Sequence, residues 1–140
     1  MQVVQLHNHS EYSILDGRSR VSEMVARAKE LGQPAIALTD HGGMYGILDF
    51  YRQATAAGIK PILGVEAYVA AGPMSRRDPQ LDRAGSSTHL TLLAATNEGL
   101  RNLMRLTTKA HVDGFYYRPR IDFETLEAHS KGIIVLSGCL

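Results

Sequence analysis

The 140-residue sequence has a single cysteine, no excess of either charge and no long hydrophobic run. One cysteine excludes an internal disulfide bond and indicates a reducing compartment. The net charge of +1, from 15 basic and 14 acidic residues, lacks the basic surplus typical of broad nucleic-acid-binding surfaces. No apolar segment approaches the roughly 20 residues that cross a bilayer, and no basic-then-apolar leader begins the chain. We therefore expect a soluble, cytoplasmic protein with one core and no membrane partner.

Apolar spacing predicts strands that alternate with helices. The predicted strands cover residues 2–6, 35–38, 61–69, 89–95 and 133–136. The predicted helices cover about 21–31, 45–57, a segment capped by Asn97 and a short segment capped by Asp122 that runs to His129. Gly32 and Gly58 are expected to end the first two helices, and residues 71–87 and 113–120 to form loops. This alternation predicts an α/β fold with a mostly parallel sheet, either open or closed into a barrel.

Two histidines, His7 and His9, lie one residue apart, directly after the apolar positions of the first predicted strand. Alternate side chains of an extended strand point to the same side, so the two imidazoles share a face and can bind one metal ion. The spacing alone is a weak signal, because paired histidines also occur without a ligand. Asp16 follows in the next loop. The segment therefore begins a candidate metal site whose other ligands must come from elsewhere in the chain.

Further polar residues lie at or near the C-terminal ends of other predicted strands. Asp40 and His41 follow the second strand, Glu66 lies within the third, and Cys139 follows the fifth. Barrel enzymes gather their site residues at this end of the strands, so the placement favours a barrel-like arrangement. His89 is the exception, because it begins its predicted strand. The full set of predicted metal ligands is His7, His9, Asp16, His41, Glu66, His89 and Cys139.

This set combines imidazoles, carboxylates and one thiol, a mixture that suits zinc and, less strictly, manganese or iron. Two or three ions joined by a bridging carboxylate can clamp a phosphate ester and activate a water. Glu66 is the natural bridge, because its apolar sequence neighbours predict burial and a buried carboxylate needs a partner. Asp40 is expected to orient a histidine rather than to bind a metal ion. It is also the candidate catalytic residue for proton transfer, with a water between the metal ions as the alternative.

Each candidate also has a purely structural interpretation. Glu66 could be an exposed strand charge, His41 a helix cap, His89 a satisfied core histidine and Cys139 an ordinary buried residue. The two remaining histidines have no partner pattern and are predicted to be solvated surface residues: His111 and His129. Four arginines lie in the two predicted loops and either contact phosphates or remain solvated charges: Arg76, Arg77, Arg118 and Arg120.

Six short segments follow one another along the chain in a recognisable order: His7–Ser10, Asp16–Gly17, Leu38–Gly42, Gly64–Tyr68, His89–Leu93 and Leu136–Leu140. Together they resemble the successive motifs of the PHP (polymerase and histidinol phosphatase) domain family. Three further segments are typical of the branch found at the N-terminus of bacterial replicative DNA polymerases: Tyr12–Gly17, Gly58–Gly64 and Gly114–Asp122. The resemblance covers essentially all of the chain.

The resemblance implies a distorted seven-stranded (β/α) TIM-like barrel with three divalent metal ions. Residues 1–140 would be a PHP domain, incomplete at its C-terminus and holding about five of the strands. By position, His7 and His9 would hold one ion and Glu66 would bridge it to a second. His89 and Cys139 would approach the second ion, and Asp16 and His41 would serve a third. A further Asp-x-His pair would come after Leu140.

The implied activity is metal-dependent phosphodiester hydrolysis, as a 3′–5′ exonuclease acting at a DNA 3′ end. The implied partners are the remaining polymerase domains and replisome subunits of a DNA-replicating holoenzyme, and the isolated chain is expected to be weakly active or inactive. Two alternatives stay open. One is a metal-binding scaffold without turnover. The other is a free-standing phosphatase acting on a small phosphomonoester, which the polymerase-type segments disfavour.

Overall fold

The computed structural model describes residues 3–14, 16–81 and 88–138, and its centre is a mixed sheet. Its strands are Ala35–Leu38 (β1), Lys60–Val69 (β2), Thr88–Ala94 (β3), Arg120–Ile121 (β4) and Ile133–Leu136 (β5). They are ordered β1-β2-β3-β5, and β4 also pairs with β2. The fold class is α/β, as predicted, and the sheet of the described residues is open rather than closed into a barrel.

One strand, β3, runs against the direction of the others. β1 and β4 pair parallel to β2, whereas β3 is antiparallel to both β2 and β5. The described part of the β2–β3 connection, residues 70–81, contains no helix. A parallel pairing needs a crossover, usually a helix, so a connection without one favours the antiparallel arrangement. The predicted mostly parallel sheet is therefore a mixed one, because the reversal of β3 makes two of its four pairings antiparallel.

The predicted first strand is wrong for residues 3–6, which form no regular strand. The segment still lies against β1, because the N–H groups of Ala37 and Thr39 donate to the carbonyls of Gln5 and Asn8, both at 2.9 Å. The Asn8 side-chain amide donates to the Ala37 carbonyl at 3.1 Å. The Ala37 carbonyl thus accepts a hydrogen bond from the Asn8 side chain, whereas in a regular strand pairing it would accept one from a backbone N–H.

The four helices lie close to their predicted positions. They are Val21–Glu30 (α1), Ile47–Ala56 (α2), Asn97–Val112 (α3) and Phe123–Ala128 (α4). The cap of α4 is confirmed, since Asp122 accepts from the Thr125 N–H at 2.8 Å. The predicted cap of α3 is wrong by one residue, because Thr96, not Asn97, accepts from the Gly99 N–H at 3.1 Å. None of these helices, within the described residues, has the length and hydrophobicity of a membrane span.

Two hydrophobic clusters hold the helices on the sheet. In the first, α1 and α2 pack on β1 through residues such as Val25, Leu38 and Phe50. In the second, α3 and α4 pack on the later strands through residues such as Leu92 and Leu106. Between these two clusters, the central strand β2 carries a buried carboxylate.

Candidate metal centre

Glu66 lies inside β2 and its side chain is only 2% exposed. Its backbone is fixed on both sides, because its N–H donates to the Asp40 carbonyl at 3.0 Å and its carbonyl accepts from the Gly42 N–H at 2.8 Å. Side chains alternate along a strand, so Val65 and Ala67 enter the apolar core while Glu66 points to the other face. The structural interpretation of Glu66 as an exposed strand charge is therefore wrong.

Four histidines surround this carboxylate. His7 Nε2 and His9 Nε2 lie 2.6 and 2.9 Å from Glu66 Oε2, and His89 Nδ1 lies 2.5 Å from Oε1. His41 Nδ1 lies 3.7 Å from Oε2. The rings also pack on one another, with the His9 and His41 centroids 4.2 Å apart. We call Glu66 and these four histidines the histidine ring.

Asp16 extends the histidine ring towards solvent. Its Oδ2 lies 2.7 Å from His41 Nε2, and its side chain is 53% exposed. The described residues contain three groups whose ligand atoms lie within 4.8 Å of one another. They are His7 with His9 and Glu66, His9 with Asp16 and His41, and His41 with Glu66 and His89. Each pair of groups shares a residue, so the site is one connected cluster.

The reversed direction of β3 explains how His89 reaches this cluster. In the β2–β3 register, His89 lies opposite Tyr68 and Thr91 lies opposite Glu66. Residues directly opposite each other in an antiparallel pair project on the same face. The start of β3 therefore meets the C-terminal end of β2, and a histidine that begins its strand lies at the same rim as those that follow theirs.

The charges of the cluster are coupled. Burial alone would raise the pKa of Glu66, but hydrogen bonds from His9 and His7 and the charge of His41 outweigh it and lower the pKa to about 2. The hydrogen bond to Glu66 raises the pKa of His9, against the opposing effect of its burial. Glu66 is therefore an anion near neutral pH, and its charge favours the protonated form of His9.

Asp40 belongs to a second layer behind the histidine ring. Its Oδ1 accepts from the Ser10 N–H at 2.6 Å and the Ser13 hydroxyl at 2.9 Å, and its Oδ2 accepts from the Ser10 hydroxyl at 2.8 Å. Ser13 Oγ accepts from the His41 N–H at 3.1 Å and lies 3.4 Å from His9 Nδ1. Asp40 thus acts on two histidines through a serine. Its contacts are those of a positioning residue, and proton transfer by Asp40 stays a prediction.

Tyr68 borders the histidine ring on the face it shares with Glu66. Its ring lies 5.8 Å from that of His41 at an interplanar angle of 13°, and meets the His89 ring edge-on at 4.9 Å. The Arg118 guanidinium lies over the Tyr68 ring, 4.8 Å from its centroid. Burial raises the pKa of Tyr68, and the Arg118 charge partly offsets this.

The structure corrects two predictions of solvent exposure. Arg120 is not a solvated loop charge, since it is 2% exposed and donates to the carbonyls of Gly114, Met74 and Arg76 at 3.0–3.1 Å. His111 is half-buried rather than fully solvated, and its Nε2 lies 2.7 Å from the Tyr45 hydroxyl.

Of the predicted ligands, Cys139 lies outside the described residues. The sequence reasoning missed Ser10, Ser13 and Tyr68. Tyr68 had a usable signal, because it is two residues from Glu66 on the same strand and so shares its face. The serines had none, since their role depends on a contact with Asp40 across 27 to 30 positions of the chain.

The donor set fits a metal ion. His7 Nε2 and His9 Nε2 are 3.0 Å apart, close to the ~3.3 Å that separates two nitrogen ligands of one tetrahedral zinc. Two buried polar atoms at the cluster, His41 Nδ1 and Thr91 Oγ1, have no hydrogen-bond partner among the described residues. Buried polar atoms of native proteins are normally satisfied. A cation held by imidazoles and a carboxylate would bind the His41 nitrogen and so satisfy it.

The family model and the similar sequences that match this chain agree with one another. A family model described as the PHP domain matches residues 5–140. The chain is 49% identical over 141 residues to DNA polymerase III subunit alpha of Chlamydia pneumoniae, covering all of the chain and 11% of that protein. It is 50% identical over 141 residues to the same subunit of Treponema pallidum, covering all of the chain and 12% of that protein. The chain thus spans only about a ninth of the length of these relatives.

Two solved structures have a similar fold. One is an amidohydrolase from Chromobacterium violaceum with bound sulfate and no metal, which has a TM-score of 0.50 and 26% identity. The match covers 76% of the chain and 34% of that protein. The other, from Bifidobacterium adolescentis and described as a metal-dependent phosphoesterase, has a TM-score of 0.51 and 16% identity, and the match covers 76% of the chain and 32% of that protein. The second likeness supports the fold alone.

Proposed function

The chain belongs to the PHP domain family, and from this premise we propose that the histidine ring binds divalent metal ions and hydrolyses a phosphodiester bond at the 3′ end of a DNA strand. The observation that carries the proposal is the convergence of four histidines on one ionised, buried carboxylate, with Asp16 bonded to one of these histidines, His41. Such a set has the ligand types and the closeness that multinuclear phosphoesterase sites require.

The proposed ligand roles follow the three groups. His7 and His9 hold one ion, Glu66 is shared between ions, and Asp16 and His41 serve another. His89 contacts the other carboxylate oxygen of Glu66, Oε1. We propose Cys139 as a further ligand of the ion that His89 serves. Zinc is the metal we propose, with manganese or iron as the alternatives, and up to three ions in the complete domain. When bound, the ions supply polarisation of phosphate oxygens and activation of a water.

The chain's own residues prepare this chemistry. Glu66 is ionised near neutral pH, so no proton has to leave it before a cation binds. Asp40 fixes the loop that carries Ser10 and Ser13, and Ser13 in turn contacts His9 and His41. Interactions of this kind set the orientation of a ligand ring before the cation arrives.

We propose that these residues form the PHP part of a bacterial replicative DNA polymerase that acts in the cytoplasm. The proposal is supported by the relatives' names and by the small share of their length that the chain covers. Further barrel strands and the polymerase domains would then lie elsewhere in the same polypeptide, with DNA and replisome subunits as partners. The 140-residue piece alone would be weakly active or inactive.

The direct test uses the full-length protein without deoxynucleotides. Metal content and the shortening of a 5′-labelled single-stranded oligonucleotide are measured for the wild type, for His9→Ala and for His111→Ala. His111 is the matched control, because it is a half-buried histidine outside the histidine ring. We expect His9→Ala alone to lose bound metal and cleavage.

Two other outcomes would replace the proposal. Bound metal without cleavage of DNA under any divalent ion would identify the scaffold alternative, in which the site only stabilises the polymerase. Turnover of a small phosphomonoester without turnover of DNA would identify the phosphatase alternative.

A further inference from the structure

Arg118 differs from the other loop arginines in its position. Arg120 is buried and bonded to three backbone carbonyls, whereas Arg76 and Arg77 are exposed in the earlier loop. Arg118 is half-buried, and its guanidinium lies over the Tyr68 ring, which contacts both His41 and His89. Of these four arginines, Arg118 is therefore the one that reaches the rim of the histidine ring.

The loop that carries Arg118 is held in a defined shape. Arg120 Nε donates to the Gly114 carbonyl at 3.1 Å across the base of the loop. At the tip, the Tyr116 N–H donates to the Arg118 carbonyl at 3.1 Å, and Tyr117 adopts a left-handed φ of 58°. Pro119 packs so closely on Gly42 that a Cβ at Gly42 would lie 2.8 Å from Pro119 Cγ. The guanidinium is thus placed beside the site before any ligand binds.

Arg118 contacts an aromatic ring rather than an acidic side chain in the part of the chain that the structure describes. In the described part of the chain, no carboxylate forms an ion pair with it. It contacts Tyr68 both over the ring face and through a side-chain hydrogen bond. A guanidinium has five N–H donors, so further donors stay available at its edge. These donors match two oxygens of a phosphate group.

We propose that Arg118, supported by Tyr68, is an anion subsite that binds the phosphate group of the substrate next to the histidine ring. This inference rests on the proposed function, because it assigns a substrate contact to the same site. Arg118 is a binding residue here, and Tyr68 positions it by stacking. The buried Arg120 positions the loop and makes no contact with the ligand.

The test measures the binding of inorganic phosphate to the full-length, manganese-loaded protein by calorimetry. We expect Arg118→Ala to weaken phosphate binding roughly 10- to 100-fold, the range of a charge-assisted hydrogen-bond pair, with metal content unchanged. Arg118→Lys keeps the charge but loses the two-pronged geometry, so we expect a loss of a few-fold only. Arg52→Ala, which removes an exposed arginine of α2, is the matched control and should bind as the wild type does.

The remaining outcomes separate this inference from the proposed function. Unchanged phosphate affinity in Arg118→Ala, with metal and DNA cleavage retained, would overturn the anion subsite and leave the proposed function standing. Loss of metal from both Arg118 variants would also overturn it, because Arg118 would then be part of the fold of the site. A wild type that binds no metal would overturn both.

Discussion

Four of the six histidines surround one carboxylate, whereas the other two lie at the ends of helices. His111 lies in the last turn of α3, and His129 caps the C-terminus of α4. His111 Nδ1 lies 2.8 Å from the Thr107 carbonyl one turn earlier, and its Nε2 lies 2.7 Å from the Tyr45 hydroxyl. The same residue type thus lies at helix ends in one region and forms a candidate cation site in the other.

The two groups of histidines differ in whether separate parts of the chain bring them to one carboxylate. The histidines of the ring come from the N-terminal segment, the end of β1 and the start of β3, and each meets a residue far away in sequence. The helix-end histidine His111 contacts a carbonyl of its own turn and one distant hydroxyl, that of Tyr45, and it contacts no carboxylate among the described residues. Convergence of separate segments on a buried carboxylate is what distinguishes a site from a local contact, and it is the property that the following variants test.

The largest effect should come from Glu66→Gln. Two of the three candidate groups contain Glu66, and one, His9 with Asp16 and His41, does not. Because the variant keeps the shape and removes the charge, we expect bound metal to fall from about three ions to at most one, with affinity reduced by more than about 100-fold at the lost positions. Elemental analysis of the purified full-length protein measures this, with His111→Ala as the control. Full metal content in Glu66→Gln would show that the Glu66 charge is not needed to hold the ions.

A smaller effect is expected for Asp40→Asn. An amide cannot accept at both positions, so one of the contacts to Ser10 or Ser13 is lost and the loop behind His9 and His41 loosens. We expect metal affinity to fall about 10- to 100-fold, as measured by competition with a chelator of known affinity. Asp49→Asn, on the outer face of α2, is the matched change and should have no effect. Normal metal affinity with lost turnover would instead favour the prediction that Asp40 transfers a proton.

Gly42→Ala tests the packing beside the histidine ring. Gly42 has a φ of +64°, and a Cβ there would lie 2.8 Å from Pro119 and 2.9 Å from Tyr68, whereas Gly58 has a φ of +77° with nothing within 4 Å. Gly58→Ala should cost about 1–2 kcal/mol of the free energy of unfolding through backbone strain alone. Gly42→Ala should cost a further ~1–3 kcal/mol through overpacking. Denaturant unfolding measures the free energy of unfolding of both variants. Equal losses would show that the loop carrying Pro119 moves aside without a cost in stability.

The smallest effect concerns the start of α3, far from the site. Thr96→Ala removes the side-chain acceptor of the Gly99 N–H and should lower the free energy of unfolding by about 1 kcal/mol. Asn97→Ala removes no capping contact and should change it by less than about 0.5 kcal/mol. If a denaturant titration showed a larger loss of the free energy of unfolding for Asn97→Ala than for Thr96→Ala, Asn97 would be the cap.

Much of the fold followed from local patterns. The apolar run of β1, the helical spacing of α1 and the Asp122 cap of α4 depend on neighbours within a few residues, and the structure confirms them. The direction of β3 did not follow, because strand direction is set by the connection and by pairing with distant residues. That one missing fact left His89 without an explanation, although its residue type had already marked it as a candidate.

The sequence predicted the candidate ligands of the site but not the residues that support them. Imidazoles and carboxylates at strand ends are visible in the sequence, but the serines behind Asp40 are common residues in a loop. Arg118 and Arg120 show the same limit. The two arginines are two positions apart, yet one is fixed in the interior by backbone carbonyls and the other lies over Tyr68 at the rim. Only the fold separates them.

The central claim is that the histidine ring is a metal site, and anomalous diffraction from crystals of the full-length protein tests it most directly. Data collected on both sides of the zinc or manganese absorption edge locate the ions independently of activity. We predict anomalous peaks between the side chains of His7, His9 and Glu66 and between those of His41, Glu66 and His89. Metal bound elsewhere in the protein, with no peak within the histidine ring of crystals grown with excess metal at neutral pH, would contradict it.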